Sequence, residues 1–335
     1  MKVVSSQWAV VSKGVFSFVL GTLLLALYLP AEAQQPGKIF RIGFLRVSAP
    51  PKACLDAFQQ GVRELGYVEG KNVTFEYLWA KKNDELPQLA AELVRLKVDA
   101  IVTDGVAATL PARKATNTIP IVMAEAGDPV ATGLVASLAR PGGNVTGMTG
   151  MSSELGGKFL ELLRETVPKL NDAAILRLAD SLLDDIFVKN IEEPARALRI
   201  KLIVLPVQGP HDYESGFRAA IKAGADAVLP RGTGRFSDAQ RKQVVGFAIQ
   251  SRLPALYGTP DWVELGGLMS YGADRIPMWR RAAVFIDKIL KGTKPSDLPI
   301  ERPTKFEFVV NLKTAKQIGL TIPQTVLYRA DKVIK

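Results

Sequence analysis

The chain has 335 residues, 47% of them hydrophobic and 23% charged, with a formal net charge of +10. That composition excludes a disordered chain, and the length suffices for two compact domains. One cysteine and one histidine exclude an internal disulfide and any metal site built from those ligands. The cations are scattered, and the tightest clusters are the pairs Lys81-Lys82 and Arg280-Arg281. With no aromatic-interleaved basic stripe, the charge reads as a solvated surface, and no nucleic-acid partner is expected.

At the N terminus, Lys2 and Lys13 precede an uncharged apolar run, Val15–Leu29, and then Ala31-Glu32-Ala33. This pattern predicts a signal peptide over residues 1–33, cleaved between Ala33 and Gln34, and a mature protein in the periplasm. The rival is a membrane anchor, but the run falls short of the roughly 18 residues of a spanning helix and ends at Pro30.

Apolar, β-branched runs then recur: Ile39–Leu45, Val73–Trp79, Ala100–Thr103, Ile119–Ala124, Val145–Thr149, Ala173–Leu178, Leu202–Val207, Ala225–Leu229 and Ala255–Tyr257. Between them lie amphipathic stretches of helical period. Leu55, Phe58, Val62 and Leu65 share one face before Gly66, which suits a left-handed C-terminal position. Leu86, Leu89, Ala90, Leu93 and Val94 keep the same period, as do Leu155, Phe159, Leu162 and Leu163, and later Trp279, Ala283, Ile286 and Leu290. Strands apolar on both faces that alternate with helices predict doubly wound α/β lobes with parallel sheets. Nine strands are too many for one comfortable domain, and the small residues of Gly147–Ser153 mark the first hinge candidate. Pro194, inside the helical stretch Asp185–Arg199, predicts a kink or a restart.

Several motifs have plain structural readings. Gly232–Ser237 is a degraded dinucleotide fingerprint, and a glycine loop ending in Ser237 as a helix cap explains it equally well. His211 lies in a turn before Asp212, without a nucleophile elbow nearby. Cys54 reads as a semi-buried helix residue. No cofactor is expected.

The C-terminal ends of parallel strands are where α/β sheets place ligands. These ends hold Arg46-Val47-Ser48, Asp104–Ala107, Glu125–Asp128, Ala179–Ser181 and Arg231–Thr233. Their glycines let backbone approach a ligand, and the helices that follow offer free N–H groups to an anion. The loops taken together predict a cleft between two lobes.

The blocks FRIGFLRV (Phe40–Val47), ELGYVEGKNV (Glu64–Val73), ELVRLKVDAIV (Glu92–Val102), GDPVATGLVASLARPGGNVTG (Gly127–Gly147), GGLMSYG (Gly266–Gly272) and KFEFVVNLKTAKQIGLTIP (Lys305–Pro323) carry a family resemblance. Through them the chain resembles the ABC-transporter substrate-binding proteins of the tryptophan-binding-like group, with the type I periplasmic binding protein fold. The resemblance implies two lobes joined by three crossovers, residues 38–148 plus 258–305 and residues 149–257 plus 306–335. It also implies a small-molecule ligand between them and an ABC permease in the inner membrane as partner. Similar proteins carry a hydroxyl residue where this chain has Val106 and Ala107, and often Trp-Asn-Pro near Leu178-Ala179-Asp180. These departures predict weak binding of tryptophan.

The expected function is delivery of a small organic ligand, an aromatic or branched carboxylate, to an importer, with no reaction. The ligand residues expected are Phe44, Ser48, Asp104, Gly105, Val106, Ala107, Glu125, Asp128, Asp180, Arg231, Gly232, Thr233 and Tyr257. Glu125 and Asp128 are assigned to a cationic or hydrogen-bond-donating group. The backbone of Gly105–Ala107 and Gly232–Thr233 is assigned to an acid group, and Phe44 and Tyr257 to an apolar wall. Two alternatives stand beside this: an exported sensory subunit with the same pocket, and an exported α/β hydrolase using Asp128 and His211.

Overall fold

The structure, a computed structural model, describes residues 38–232 and 236–335. The expected signal segment and Thr233 lie outside the described residues.

The first sheet is wholly parallel. It contains β1 (Phe40–Val47), β2 (Val73–Ala80), β3 (Ala100–Asp104), β4 (Ile121–Ala126) and β5 (Val145–Thr149), in the order β2-β1-β3-β4-β5. Side chains alternate faces along each strand, so both faces need cover. Ile42 and Phe44 pack on one face against Phe58 and Val62 of α1 (Lys52–Glu64) and Trp279, Ala283 and Ile286 of α9 (Arg275–Leu290). Leu45, Ile101 and Met123 pack on the other against Leu93 of α2 (Leu86–Arg95) and Ala112 of α3 (Val106–Ala115). Cys54 is buried within the first of these layers, and burial pushes its thiol up to about 12. Gly66 follows α1 with φ 93°, the left-handed conformation its position predicts.

The second sheet has two segments. The strands β6 (Asp172–Leu178), β7 (Lys201–Val207) and β8 (Ala227–Pro230) run parallel in the order β7-β6-β8. The strands β9 (Leu256–Tyr257), β10 (Met269–Ala273), β11 (Phe306–Asn311) and β12 (Lys332–Ile334) follow in the order β12-β11-β10-β9, with β10 and β11 antiparallel. A parallel bridge between Val228 and Ala255 joins the segments. One face is covered by Phe159 and Leu163 of α4 (Gly156–Thr166) and Phe187 and Ile191 of α5 (Leu182–Ala197). The other is covered by Tyr213 and Phe217 of α6 (Tyr213–Lys222), Val244 of α7 (Asp238–Gln250) and Trp262 of α8 (Pro260–Glu264). Two short helices, α10 (Leu312–Ile318) and α11 (Gln324–Arg329), close the chain beside α4 and α7.

Three expectations need correction. Residues 258–273 were assigned to the first lobe, but β10 pairs with β9 and β11 and so lies in the second sheet. The chain returns to the first lobe only at α9. The strands β10 to β12 were not anticipated from apolar runs, because MSYGA and FEFVVN carry polar or small residues among the apolar ones. The third concerns Pro194: α5 runs through it without a break. Pro194 sits in the last turns, where few interior bonds are lost, and its carbonyl accepts the Leu198 N–H at 3.0 Å.

Three passages between the lobes run side by side. Thr149 donates to the Glu301 carbonyl and Glu301 to that of Gly147, each at 2.9 Å. Asp274 donates to the Lys305 carbonyl at 3.0 Å. Gly147 enters this region with φ 125°, and a Cβ there would collide with the Met123 backbone.

Candidate functional site

The C-terminal ends of both sheets converge on an interlobe cavity of ≈ 90 Å³. From the first lobe come Arg46 of β1, Asp104 at the end of β3, Glu125 of β4, and the backbone of Gly127 and Gly150. From the second come Arg231 after β8, Arg241 of α7 and Asp261 of α8. Arg275, the first residue of α9, lines it from the second passage. The two glycines are required by close approach. A Cβ on Gly127 would lie 2.8 Å from a methyl of Leu183 in the other lobe, and one on Gly150 would strike the Glu125 carboxyl.

A chain of ion pairs crosses the cavity. Arg46 Nε lies 2.6 Å and Arg275 Nη2 2.7 Å from Asp104 Oδ2. Arg275 Nη1 reaches Asp261 Oδ2 at 2.9 Å, and Arg241 Nη1 reaches the same oxygen at 3.2 Å. Arg46 Nη1 also donates to the carbonyls of Val47, Ser48 and Ala49. Burial works to raise the Asp104 pKa, but Arg275 and Arg46 together outweigh it and hold the carboxyl below its ordinary range. Glu125 goes the other way. Burial first, and the adjacent Asp104 charge second, push it up to about 7 against the pull of Arg275 and Arg46.

The guanidinium of Arg231 lies 3.7 Å above the Phe187 ring, with Nε 3.6 Å from Asp184 Oδ1. Arg231, Arg241 and Arg275 are each at least nine-tenths buried, and among the described residues the Nε of each has no hydrogen-bond partner. A buried donor without an acceptor is costly; the Asp184 carboxylate beside Arg231 Nε offsets part of that cost, and Arg241 and Arg275 carry theirs among the described residues.

A second chamber of ≈ 240 Å³ shares Val106, Leu183 and Arg231 with this cavity and is lined further by Ala107, Leu110 and Leu182 and by the polar Asp180, Ser181 and Asp184, with Gly232. The N termini of α3 and α5 face it. Gly105, with φ 83°, caps α3 with no side-chain bond, leaving the first-turn N–H groups of Val106 and Ala107 for a ligand.

The expected ligand residues divide accordingly. Asp104, Gly105, Val106, Glu125 and Arg231 line the inner cavity, and Ala107, Asp180 and Gly232 line the outer chamber. Four do not reach either. Phe44 is buried in the first lobe's core, stacked parallel to Trp279, because its strand face turns toward α1 and α9. Tyr257 is buried in the second core and stacks on Trp262 at 4.9 Å. Ser48 turns the chain at φ 60° and donates its N–H to Ala80. Asp128 accepts the N–H groups of Val130 and Ala131 at 3.1 and 2.9 Å, so its carboxylate closes a turn. The sequence reading missed Arg241, Asp261 and Arg275 and noted Arg46 only as part of a strand end. An arginine closing an apolar strand was the one available signal. Ser237 caps α7 in a reciprocal capping box with Gln240, which accounts for the end of the glycine loop.

Over residues 48–334 the chain matches the family described as ABC transporter substrate binding protein. The chain belongs to that family. It is 24% identical over 264 residues to the tyrosine-binding protein of Clostridioides difficile, covering 78% of this chain and 75% of the other. It is similar to the solved ABC domain of Streptococcus pneumoniae in complex with L-Trp, at 25% identity and a TM-score of 0.81, covering 89% of this chain and all of that one. A conserved domain protein of Vibrio cholerae has 26% identity, a TM-score of 0.79 and the same coverage. The protein is therefore a two-lobed α/β substrate-binding protein for a small ligand and not an enzyme.

Proposed function

We propose that the protein works outside the cytoplasm and carries a small organic acid with an aromatic or branched body to an ABC permease in the inner membrane. Four buried arginines around one cavity carry this reading, two of them, Arg241 and Arg275, with an Nε that has no hydrogen-bond partner among the described residues. The described lining holds four arginines against Asp104, Asp261 and a glutamic acid that titrates near 7. Such a wall favours an anion, and Val106, Ala107, Leu110, Leu182 and Leu183 of the outer chamber offer apolar surface to the rest of the molecule. The acid head and the hydrocarbon body thus have separate places. Export is supported by the pattern of Met1–Ala33.

Native mass spectrometry of gently purified protein, followed by calorimetry with aromatic and branched acids, tests the reading. A co-purified carboxylate released unchanged supports it. A neutral or purely cationic ligand bound tightly in the cleft overturns it. Tryptophan is expected to bind weakly, because Val106 and Ala107 offer it only backbone N–H groups; a submicromolar dissociation constant would contradict this. Intact mass on a periplasmic extract tests the cleavage after Ala33.

A further inference from the structure

Asp104 and Glu125 stand opposite one another in the parallel register of β3 and β4, and their carboxyls face each other in the cleft. The charge of Asp104 is already matched, by Arg46 from β1 and Arg275 from α9. Among the described residues no ion pair reaches Glu125. Its carboxyl occupies the space that a Cβ on Gly150 would take, so the glycine makes room for it beside Asp104. Arg231, Arg241 and Asp261 stand further round the cavity wall. Two carboxylates in contact do not both ionise cheaply, and the one held by two guanidiniums keeps the charge. The proton of the pair therefore resides on Glu125, whose titration is displaced upward to about 7 by burial and by Asp104.

We propose that Glu125 selects the ligand class by its protonation state: with its proton it admits a simple carboxylate, and without it it receives the ammonium group of an amino acid. This rests on the reading that the cleft takes small organic acids. A bare acid adds negative charge near the pair and strengthens the hold on the proton. An amino acid brings a cation that replaces the proton, so its binding releases one. By linkage, amino-acid affinity rises with pH by up to about tenfold per unit below pH 7, and bare-acid affinity falls by up to about tenfold per unit above it. The ratio of the two affinities moves in one direction throughout.

The test is calorimetry on protein freed of bound ligand, at about pH 6 and about pH 8, in two buffers of different ionisation enthalpy. The probes are L-tyrosine with 3-(4-hydroxyphenyl)propionate, and L-leucine with 4-methylpentanoate. The amino-acid to bare-acid affinity ratio should be at least about tenfold higher at the upper pH, with proton release for the amino acids alone. Glu125→Gln should flatten the ratio and abolish the release. A ratio that ignores pH, or one whose change survives in Glu125→Gln, overturns the proposal. If none of the four probes binds, the small-acid reading falls, and the pair is judged in the ligand-free protein by carboxyl carbon NMR. A resonance missing from Glu125→Gln that titrates near 7 sustains the proton on Glu125, and one that titrates below about 5 overturns it.

Discussion

Asp128 and Glu125 are three residues apart at one strand end, yet the fold gives them different work. The Asp128 carboxylate is spent on two backbone N–H groups of its own turn. Asp128→Ala should therefore lower stability by about 0.5–2 kcal/mol, as for a lost cap, and leave ligand affinity unchanged. Thermal melts paired with calorimetry check both halves. Arg231→Met should lower both. It removes the guanidinium that lies over Phe187 and one ion-pair partner of the buried Asp184 carboxylate, so stability falls, and loss of the charge should weaken carboxylate binding by about 1.5–3 kcal/mol. For Glu125 the consequence is a pH dependence of folding. Its folded pKa of about 7 lies above the ordinary 4.5, so its contribution to stability is fully present below pH 4.5 and is lost as the pH rises through 7. The loss is about 3 kcal/mol across that window. Denaturant melts at pH 4.5 and pH 8 should show Glu125→Gln gaining on the native protein by that order at the higher pH, and parallel profiles would contradict it.

At the scale of elements, the strand ends matter more than the strands. The strand β1 was legible as an apolar run, and α1, α2 and α9 from their helical period. What those patterns did not show is which end residue turns into the cleft. Phe44 and Arg46 lie two apart on β1 and share a strand face, but Phe44 is deep in the sheet under Trp279 while Arg46 has reached the edge where the helices part. An aromatic residue on a strand is thus core by default, and the wall role given to Phe44 and Tyr257 was overridden by their depth. Gly147 is the position where backbone geometry is least forgiving. Gly147→Ala places a Cβ against the Met123 backbone at φ 125° and should destabilise the chain by about 1–3 kcal/mol or more. Chemical denaturation measures it, and a change below about 0.5 kcal/mol would show that the passage region yields.

For the whole molecule, the ion chain Arg46–Asp104–Arg275–Asp261–Arg241 links the first sheet to helices of the second lobe. Each buried ion pair sets a large desolvation cost against a large attraction, so breaking one side is expensive. An anionic ligand set among the arginines of both lobes adds to the closed arrangement and not to an opened one. Small-angle scattering should show a smaller radius of gyration on addition of a tight-binding acid. Saturation without compaction would mean that the lobes do not move.

The amino-acid sequence by itself determined the α/β alternation, the doubly wound lobes and the family, because periodicity and strand-end glycines are local properties written along the chain. It also pointed to part of the cleft lining, the ends of β1, β3, β4, β6 and β8, since parallel strands all end on the same side, but not to the segments that bring Gly150, Asp261 and Arg275. The lobe to which 258–273 belongs was decided only by tertiary structure, because antiparallel pairing of β10 with β11 joins residues far apart in sequence. The arginine-rich wall was decided there too. Arg46, Arg231, Arg241 and Arg275 come from four separate segments, and nothing in any one segment signals that its charge will be buried beside the others.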